Sequence, residues 1–416
     1  MDAANPLVAR VAPCCAARRK IALIGLALTL GYLVVLAGTY LTGNFFADAQ
    51  GRPIANDFVN VWAAGRLALD GNPAAAYDWA AHKAAETRAV DHDFPGYYGW
   101  HYPPSFLFVA AALALLPYLV AAGLWLLATL AAYVAAIAAI LGGRAGMFLA
   151  LGFPAALWNV AAGQNGFLTA ALIGGTLSLL ERRPALAGVC LGLLSYKPQF
   201  GLLFPVALIA GGHWRTITTA AMVTGGLAAA SWFAFGGAAW AAFVHWLPIT
   251  GHVVLGKGDA DFARLQSFYG LARAAGGEGT LAWTVQGAAS LTAAAGVARI
   301  WRSRLPYDLK AATLAAAALI VTPYLYMYDL VAAAVAVAFL LRFALPRGLT
   351  RAEIVGLTGA GALILAFPEL TGQVGLAAVL IVVALIGRRI TQATAHDCDQ
   401  NRVHADRDYG FPPARK

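Results

Sequence analysis

Apolar stretches of the kind that span a bilayer recur along this chain, at 21–41, 119–141, 216–235, 327–345 and 372–386. A hydrocarbon core about 30 Å thick takes about 20 helical residues to span. Inside it each backbone amide and carbonyl must be satisfied within its own segment, so runs of this kind are expected as helices. The charge content agrees, since 12% of the 416 residues are charged and 60% are hydrophobic, whereas a soluble domain carries about 25% charge. The expected fold is an all-α polytopic membrane protein.

The formal charge of +9 does not mark a nucleic-acid binder, because the cations stand in small groups at the ends of apolar runs and not on one face. If Lys and Arg mark cytoplasmic loops, the inside holds the N-terminal cluster Arg18, Arg19 and Lys20, then Arg144, Arg182 with Arg183, Arg215, 299–304, Arg347 with Arg351, and Arg388 with Arg389. Both termini are then cytoplasmic, and the stretch after Lys20 reads as a retained first helix. Residues 1–20 form the cytoplasmic N-terminus, 21–388 the transmembrane domain, and 389–416 a polar cytoplasmic tail read as disordered. Counting 103–117 and 146–161 as full spans gives an odd number of crossings, so one of the two should be re-entrant or interfacial and the total about twelve. Cys14, Cys15, Cys190 and Cys398 have no metal-ligand spacing and suggest no disulfide framework. The excess of arginine over lysine and the abundance of alanine hint at a bacterial source, hence an inner membrane.

Five segments fall outside on this scheme, 42–102, 162–165, 196–199, 237–280 and 322–329, and they hold most of the unusual polar residues. The first is too long to be a mere connection. In it Asn56 and Asp57 precede a helical pattern with Phe58, Val61, Trp62, Gly65 and Leu69 on one face, stopped by Gly71, Asn72 and Pro73. That pattern is amphipathic and too short to span, so a membrane-surface helix is expected, with a second element over 77–90.

Asp57 is the leading chemical candidate, a base placed to meet a lipid-borne substrate; the competing reading is that Asn56 or Asp57 caps the helix. Lys197 before Pro198 suits a phosphate at a helix N-terminus, or is a lysine snorkelling to the interface. Gln164 and Asn165 break two apolar runs with amides that suit sugar hydroxyls or an interhelical hydrogen bond. Tyr324, Tyr326, Tyr328 and Asp329 crowd another outer turn, where the rings could stack on a sugar or form an interfacial belt. Tyr102, with His101, Pro103 and Pro104, fixes the exit from the first outer loop. Asp91, His92 and Asp93, near His82 and His101, resemble metal ligands superficially, but no spacing is diagnostic and no metal is expected. Phosphate-binding loop, dinucleotide, zinc-helix and nucleophile-elbow motifs are not found in a fitting context, which disfavours nucleotide-driven chemistry.

NDFVNVWAAGRLALDGNPAAAYD from Asn56, YPPSFLFVAAALALLP from Tyr102, GQNGFLTAAL from Gly163, KPQFGLLFP from Lys197 and QSFYGLARAAG from Gln266 follow one another in an order that resembles glycosyltransferase family 87, formerly a domain of unknown function. The resemblance covers roughly residues 55–345. It implies a GT-C-type fold with long extracytoplasmic loops, a catalytic aspartate at the position of Asp57, and a polyprenyl-phosphate sugar, mannose in relatives, as donor to a lipid or glycan acceptor. Lys197, Gln199, Gln164, Asn165, Tyr102, Tyr328, Asp329 and Ser267 become candidates for binding the donor phosphate or the substrate, with no cofactor. The rival reading is a transporter or flippase for lipid-linked sugars, which would place polar sites at the bilayer midplane.

Overall fold

A computed structural model describes residues 6–257, 261–367, 369–370 and 372–408; its terminal helices are followed in backbone alone before residue 14 and after residue 395. Regular structure among these residues is helical, apart from isolated bridges joining Phe45, Ala47 and Pro53. Five helices are long and apolar enough to cross a membrane, Cys14–Leu41, Tyr118–Leu141, Trp214–Gly256, Met327–Arg347 and Val374–Ala395. A sixth arises if Gly143–Leu151 and Pro154–Ala162, bent by 50° at their junction, count as one span. About twelve crossings were expected. The difference lies in where the apolar sequence is cut: prolines and polar turns divide it into short helices such as Leu107–Leu113, Gly166–Leu179, Pro184–Leu193 and Phe204–Gly211. The bend falls on 146–161, one of the two stretches for which a re-entrant path was expected, and 103–117 gives a single short helix.

Met327–Arg347 is the axis of the bundle. From Ala333 to Ala344 each residue except Arg342 is buried, as befits a helix apolar on all sides and enclosed by others. Tyr307–Ile320, Tyr118–Leu141, Gly166–Leu179 and the last helix pack around it. Cys14–Leu41 is the opposite case, with Leu23, Ile24, Leu33, Val34 and Leu41 all exposed, a surface suited to lipid.

The axis helix separates two chemically distinct ends, about 27 Å apart for the rise from Asp329 to Arg347. At the arginine-rich end Arg18 donates to the Leu141 carbonyl (2.6 Å), Arg389 binds Glu353 and the Gly348 carbonyl, and Arg342 pairs with Asp308. At the other end the five segments expected to share a face come together. Gln164 reaches Asp57, Asn165 reaches Tyr102, Lys197 reaches Asp329, the Gln266 amide reaches the Leu325 carbonyl, and His101 meets Thr250.

Three expectations about local structure are corrected. The helix Phe58–Leu69 is not covered on one face alone as an amphipathic helix would be, because Phe58, Val59, Asn60, Val61, Ala63, Ala64, Gly65 and Leu67 are all buried. It is wedged between Trp79–Val90 and Leu107–Leu113, so close to the latter that a Cβ on Gly65 would lie 2.0 Å from the Ala110 carbonyl oxygen. The expected outer loop 237–280 is largely helical: Trp214–Gly251 runs on past a break at Gly236, and Phe268–Ala274 and the start of Gly279–Arg302 follow. The backbone of the last helix continues to Asp408, beyond residue 389 where disorder was expected; 409–416 lie outside the described residues.

Candidate functional site

Asp57 sits where the first outer segment turns into Phe58–Leu69, and its role as a cap can be decided from its partners. The Asn56 Oδ1 accepts the Phe58 amide (3.0 Å) and the Tyr118 hydroxyl (3.2 Å), so Asn56 serves the free helix end. Asp57 already has helical backbone angles, and its side chain makes no cap bond. Instead its Oδ2 accepts the Gln164 Nε2 at 2.9 Å, while its backbone amide donates to the Ala162 carbonyl at 3.0 Å. The residue as a whole is partly exposed, but its carboxyl end lies among buried side chains. That burial pushes its pKa up to about 6, with the Asp329 charge adding to the rise and the Gln164 hydrogen bond and the Lys197 and Arg264 charges opposing it.

The GQNG turn shows why small residues flank its amides. Pro154–Ala162 ends on Gly163 in the left-handed region (φ 70°), where a Cβ would stand 2.7 Å from the Asn56 Oδ1. A Cβ on Gly166 would lie 2.4 Å from the Tyr328 carbonyl oxygen. The two glycines thus let the first outer segment, this turn and the 322–329 turn close on one another. Between them Gln164 uses its Oε1 to accept the Asn165 amide (3.1 Å), and Asn165 donates through Nδ2 to the Tyr102 hydroxyl (2.6 Å). Tyr102 is held in turn by the Tyr77 hydroxyl on its carbonyl (2.8 Å). Gly166→Ala should therefore lower the melting temperature of the purified protein, at a cost of about 1–3 kcal/mol for forcing a methyl into a packed contact.

Lys197 Nζ donates to Asp329 Oδ1 at 2.8 Å, and both side chains are nearly fully buried. Asp329 also accepts the Tyr326 amide (3.3 Å). The lysine stands 5.5 Å from the centre of the Tyr328 ring and 5.7 Å from that of Phe200. Tyr326 and Tyr328 stack at 5.4 Å, and Phe106, Tyr196 and Tyr102 continue an aromatic wall with centroids 4.7–6.0 Å apart. This corrects the reading of Lys197 as one half of a helix N-terminus. Pro198–Phe200 is a three-residue turn, the next helix starts at Phe204, and the ammonium is already engaged by a carboxylate.

Of the remaining candidates, Gln199 is partly exposed and has no hydrogen-bond partner among the described residues. Ser267 is buried and its hydroxyl is committed, donating to the Pro323 carbonyl (2.8 Å) and accepting the Gly270 amide (3.1 Å) as the cap of Phe268–Ala274. Those bonds give Ser267 a structural part as a helix cap. Asp91 ends Trp79–Val90 in a left-handed conformation and His92 contacts the Val90 carbonyl, so the suggested metal cluster is occupied with local turns. Among the described residues no three His, Cys, Asp or Glu side chains gather as a metal site would require.

Arg264 was missed. Its charge is felt at both Asp57 and Tyr326, it is exposed, and it has no ion-pair partner among the described residues. The buried Gln266 fixes its backbone, donating to the Ala263 carbonyl (2.9 Å) and accepting the Gly375 amide (2.8 Å). The available signal was its place two residues before QSFYGLARAAG.

The site is therefore one free carboxylate and an exposed guanidinium, with a buried lysine–aspartate pair, two amides and an aromatic wall around them. The family model of Glycosyltransferase family 87 matches residues 100–323, more than half of the chain. No curated protein and no solved structure matches it. The matched region holds Tyr102, Gln164, Asn165, Lys197, Arg264 and Ser267, while Asp57 and Asp329 meet these residues from either side of it. The chain belongs to glycosyltransferase family 87 and is a membrane glycosyltransferase.

Proposed function

We propose that this enzyme, with a GT-C-type fold, transfers a hexose, mannose by its family resemblance, from a polyprenyl-phosphate sugar to a lipid or glycan acceptor on the extracytoplasmic side of a bacterial inner membrane. The observation that carries the reading is the state of Asp57. It is freed from capping by Asn56, oriented by Gln164, and raised by burial to about 6, close to the range in which a base works best at neutral pH. Asp57 takes the proton of the acceptor hydroxyl as that oxygen attacks the anomeric carbon. The bond from that carbon to the phosphate oxygen breaks, and its electron pair leaves with the lipid phosphate.

Asp329 is committed to Lys197, so one free carboxylate faces the reaction, which suits a single displacement with inversion. A glycosyl-enzyme intermediate would need its own nucleophile. The product linkage made from a donor of defined configuration, read by NMR, should have the opposite anomeric configuration; retained configuration would refute the single displacement.

The donor phosphodiester brings one negative charge, and Arg264, exposed and with its charge felt at Asp57, is the cation best able to meet it. The buried Lys197 then stabilises charge that grows on the departing oxygen. Arg264→Ala should raise KM for the donor about tenfold, the lower end of what a charge-assisted hydrogen bond contributes, with a smaller change in kcat. Equal KM values for the variant and wild type would remove Arg264 from donor binding.

A further inference from the structure

Buried polar atoms without a hydrogen-bond partner among the described residues concentrate in the first outer segment. Tyr133, Asn159, Asn165, Trp240 and Arg273 hold single such atoms elsewhere, while those in this segment are Asn60 Oδ1, both ring nitrogens of His82, Glu86 Oε2, the Tyr97 hydroxyl and Trp100 Nε1. Two of these side chains are ionisable and have no exposed surface: His82 and Glu86, one turn apart on Trp79–Val90. Their nearest polar atoms are 3.6 Å apart, beyond a direct hydrogen bond. Leaving so many groups unpaired in a packed interior is costly, and polar groups in such a place hold internal water.

The cluster leads back to Asp57. Asn60 donates through Nδ2 to the Asp57 carbonyl (2.7 Å), which leaves its Oδ1 turned away from that bond. Glu86 Oε1 accepts the Tyr98 amide (3.1 Å), and the Tyr98 hydroxyl reaches the Ala55 carbonyl beside the catalytic turn (3.4 Å). Glu86 also lies near enough to Asp57 to feel its charge. In the other direction the His82 ring meets Tyr97 edge-on at 5.9 Å, and Tyr97 stacks at 4.4 Å on Trp79, which is exposed.

The chemistry proposed above leaves a proton on Asp57 in each turnover, while donor and acceptor cover its open side. We propose that His82 and Glu86, with water bridging their unpartnered atoms to Asn60, form the route by which that proton leaves Asp57 for the outer rim of the loop. The inference rests on the base role of Asp57. The proton passes from the Asp57 carboxyl to water, from water to one Glu86 oxygen, from the other Glu86 oxygen to a His82 nitrogen, and from His82 past Tyr97 to bulk water. No electrons are gained or lost, and Asp57 returns to its ionised form.

The charges around Glu86 fit a pair that rests neutral. On its own helix Lys83 is turned to the Phe94 carbonyl (2.8 Å) and ring. Tyr97 and Tyr98 face it from the following loop as neutral phenols, and Asp57, at the start of the neighbouring helix, contributes like charge. Burial raises the Glu86 carboxyl to about 8 and depresses the His82 imidazole to about 3, so both are uncharged near neutrality and can pass a proton without stranding a charge.

Two readouts on the full-length protein in lipid vesicles test the route. Infrared spectra at pH 7 should contain a protonated-carboxyl band that disappears in Glu86→Gln and shifts in Asp57→Asn, because the two groups share water. This readout does not depend on transfer activity, so it stands even where the proposed donor is wrong. No such band, or one that Asp57→Asn leaves in place, overturns the link. In transfer assays Glu86→Gln and, independently, His82→Gln should lower kcat about tenfold, keep both KM values, and enlarge the solvent deuterium isotope effect, with partial recovery in Glu86→Asp. Wild-type kcat and isotope effect in both variants, or losses that only follow a lower melting temperature, overturn the proposal.

Discussion

Asp57→Asn is expected to lower kcat by about 10²–10⁴, the usual contribution of a positioned general base, with the melting temperature and donor KM close to wild type. The stability expectation follows from the partners: Asn56 carries the cap, the Asp57 backbone amide bond to Ala162 is kept, and an asparagine side chain can still contact Gln164. The pH profile supplies the sign. The base must be ionised, and burial raises its pKa to about 6. The kcat/KM of wild type should therefore fall about tenfold per unit below pH 6 and level off above it, and this acid limb should be absent from residual Asp57→Asn activity. A profile flat to pH 4.5 would mean that the rate does not depend on the Asp57 proton.

Lys197 and Asp329 give the other large effect, and here stability and chemistry have to be separated. Removing one member of a buried pair strands the other charge, at about 3–5 kcal/mol. Lys197→Met and Asp329→Asn should each show a markedly lower melting temperature in detergent. Combining the two leaves a neutral pair of similar shape and should recover most of the lost stability. On the role proposed for Lys197, transfer should not recover; a deficit of about 10²–10³ is what a preorganised stabilising group contributes. If the double variant regains both stability and transfer, the pair is a structural clasp and Arg264 alone meets the phosphate.

What could be read from the sequence, and what could not, divides by range. Apolar length and the placement of Arg and Lys foretold the helical bundle and the grouping of five polar segments, which meet through the Gln164–Asp57, Asn165–Tyr102, Lys197–Asp329, Gln266–Leu325 and His101–Thr250 contacts. Those signals belong to bilayer thickness and topology and need no tertiary detail. Partner choice was not legible. Nothing in the order of residues says that Asn56 and not Asp57 takes the cap, that Lys197 spends its charge on a residue 132 positions away, or that the Ser267 hydroxyl is used up as a cap. The number of long apolar helices falls short of twelve for a related reason, because a proline or amide inside an apolar run looks the same whether the helix continues, bends by 50°, or stops. The buried faces of Phe58–Leu69 could not be foreseen either, since the second helix that covers it is itself weakly patterned.

The central claim is that a lipid phosphate sugar is the donor. The most direct measurement gives wild-type vesicles labelled mannose either as polyprenyl-phosphate mannose or as a nucleotide sugar, with the lipid phosphate sugar synthase absent, and follows label into membrane acceptors. The account predicts transfer from the lipid donor alone, lost in Asp57→Asn at matched protein level. Transfer from the nucleotide sugar, or equal transfer from the lipid donor by wild type and Asp57→Asn, would contradict it.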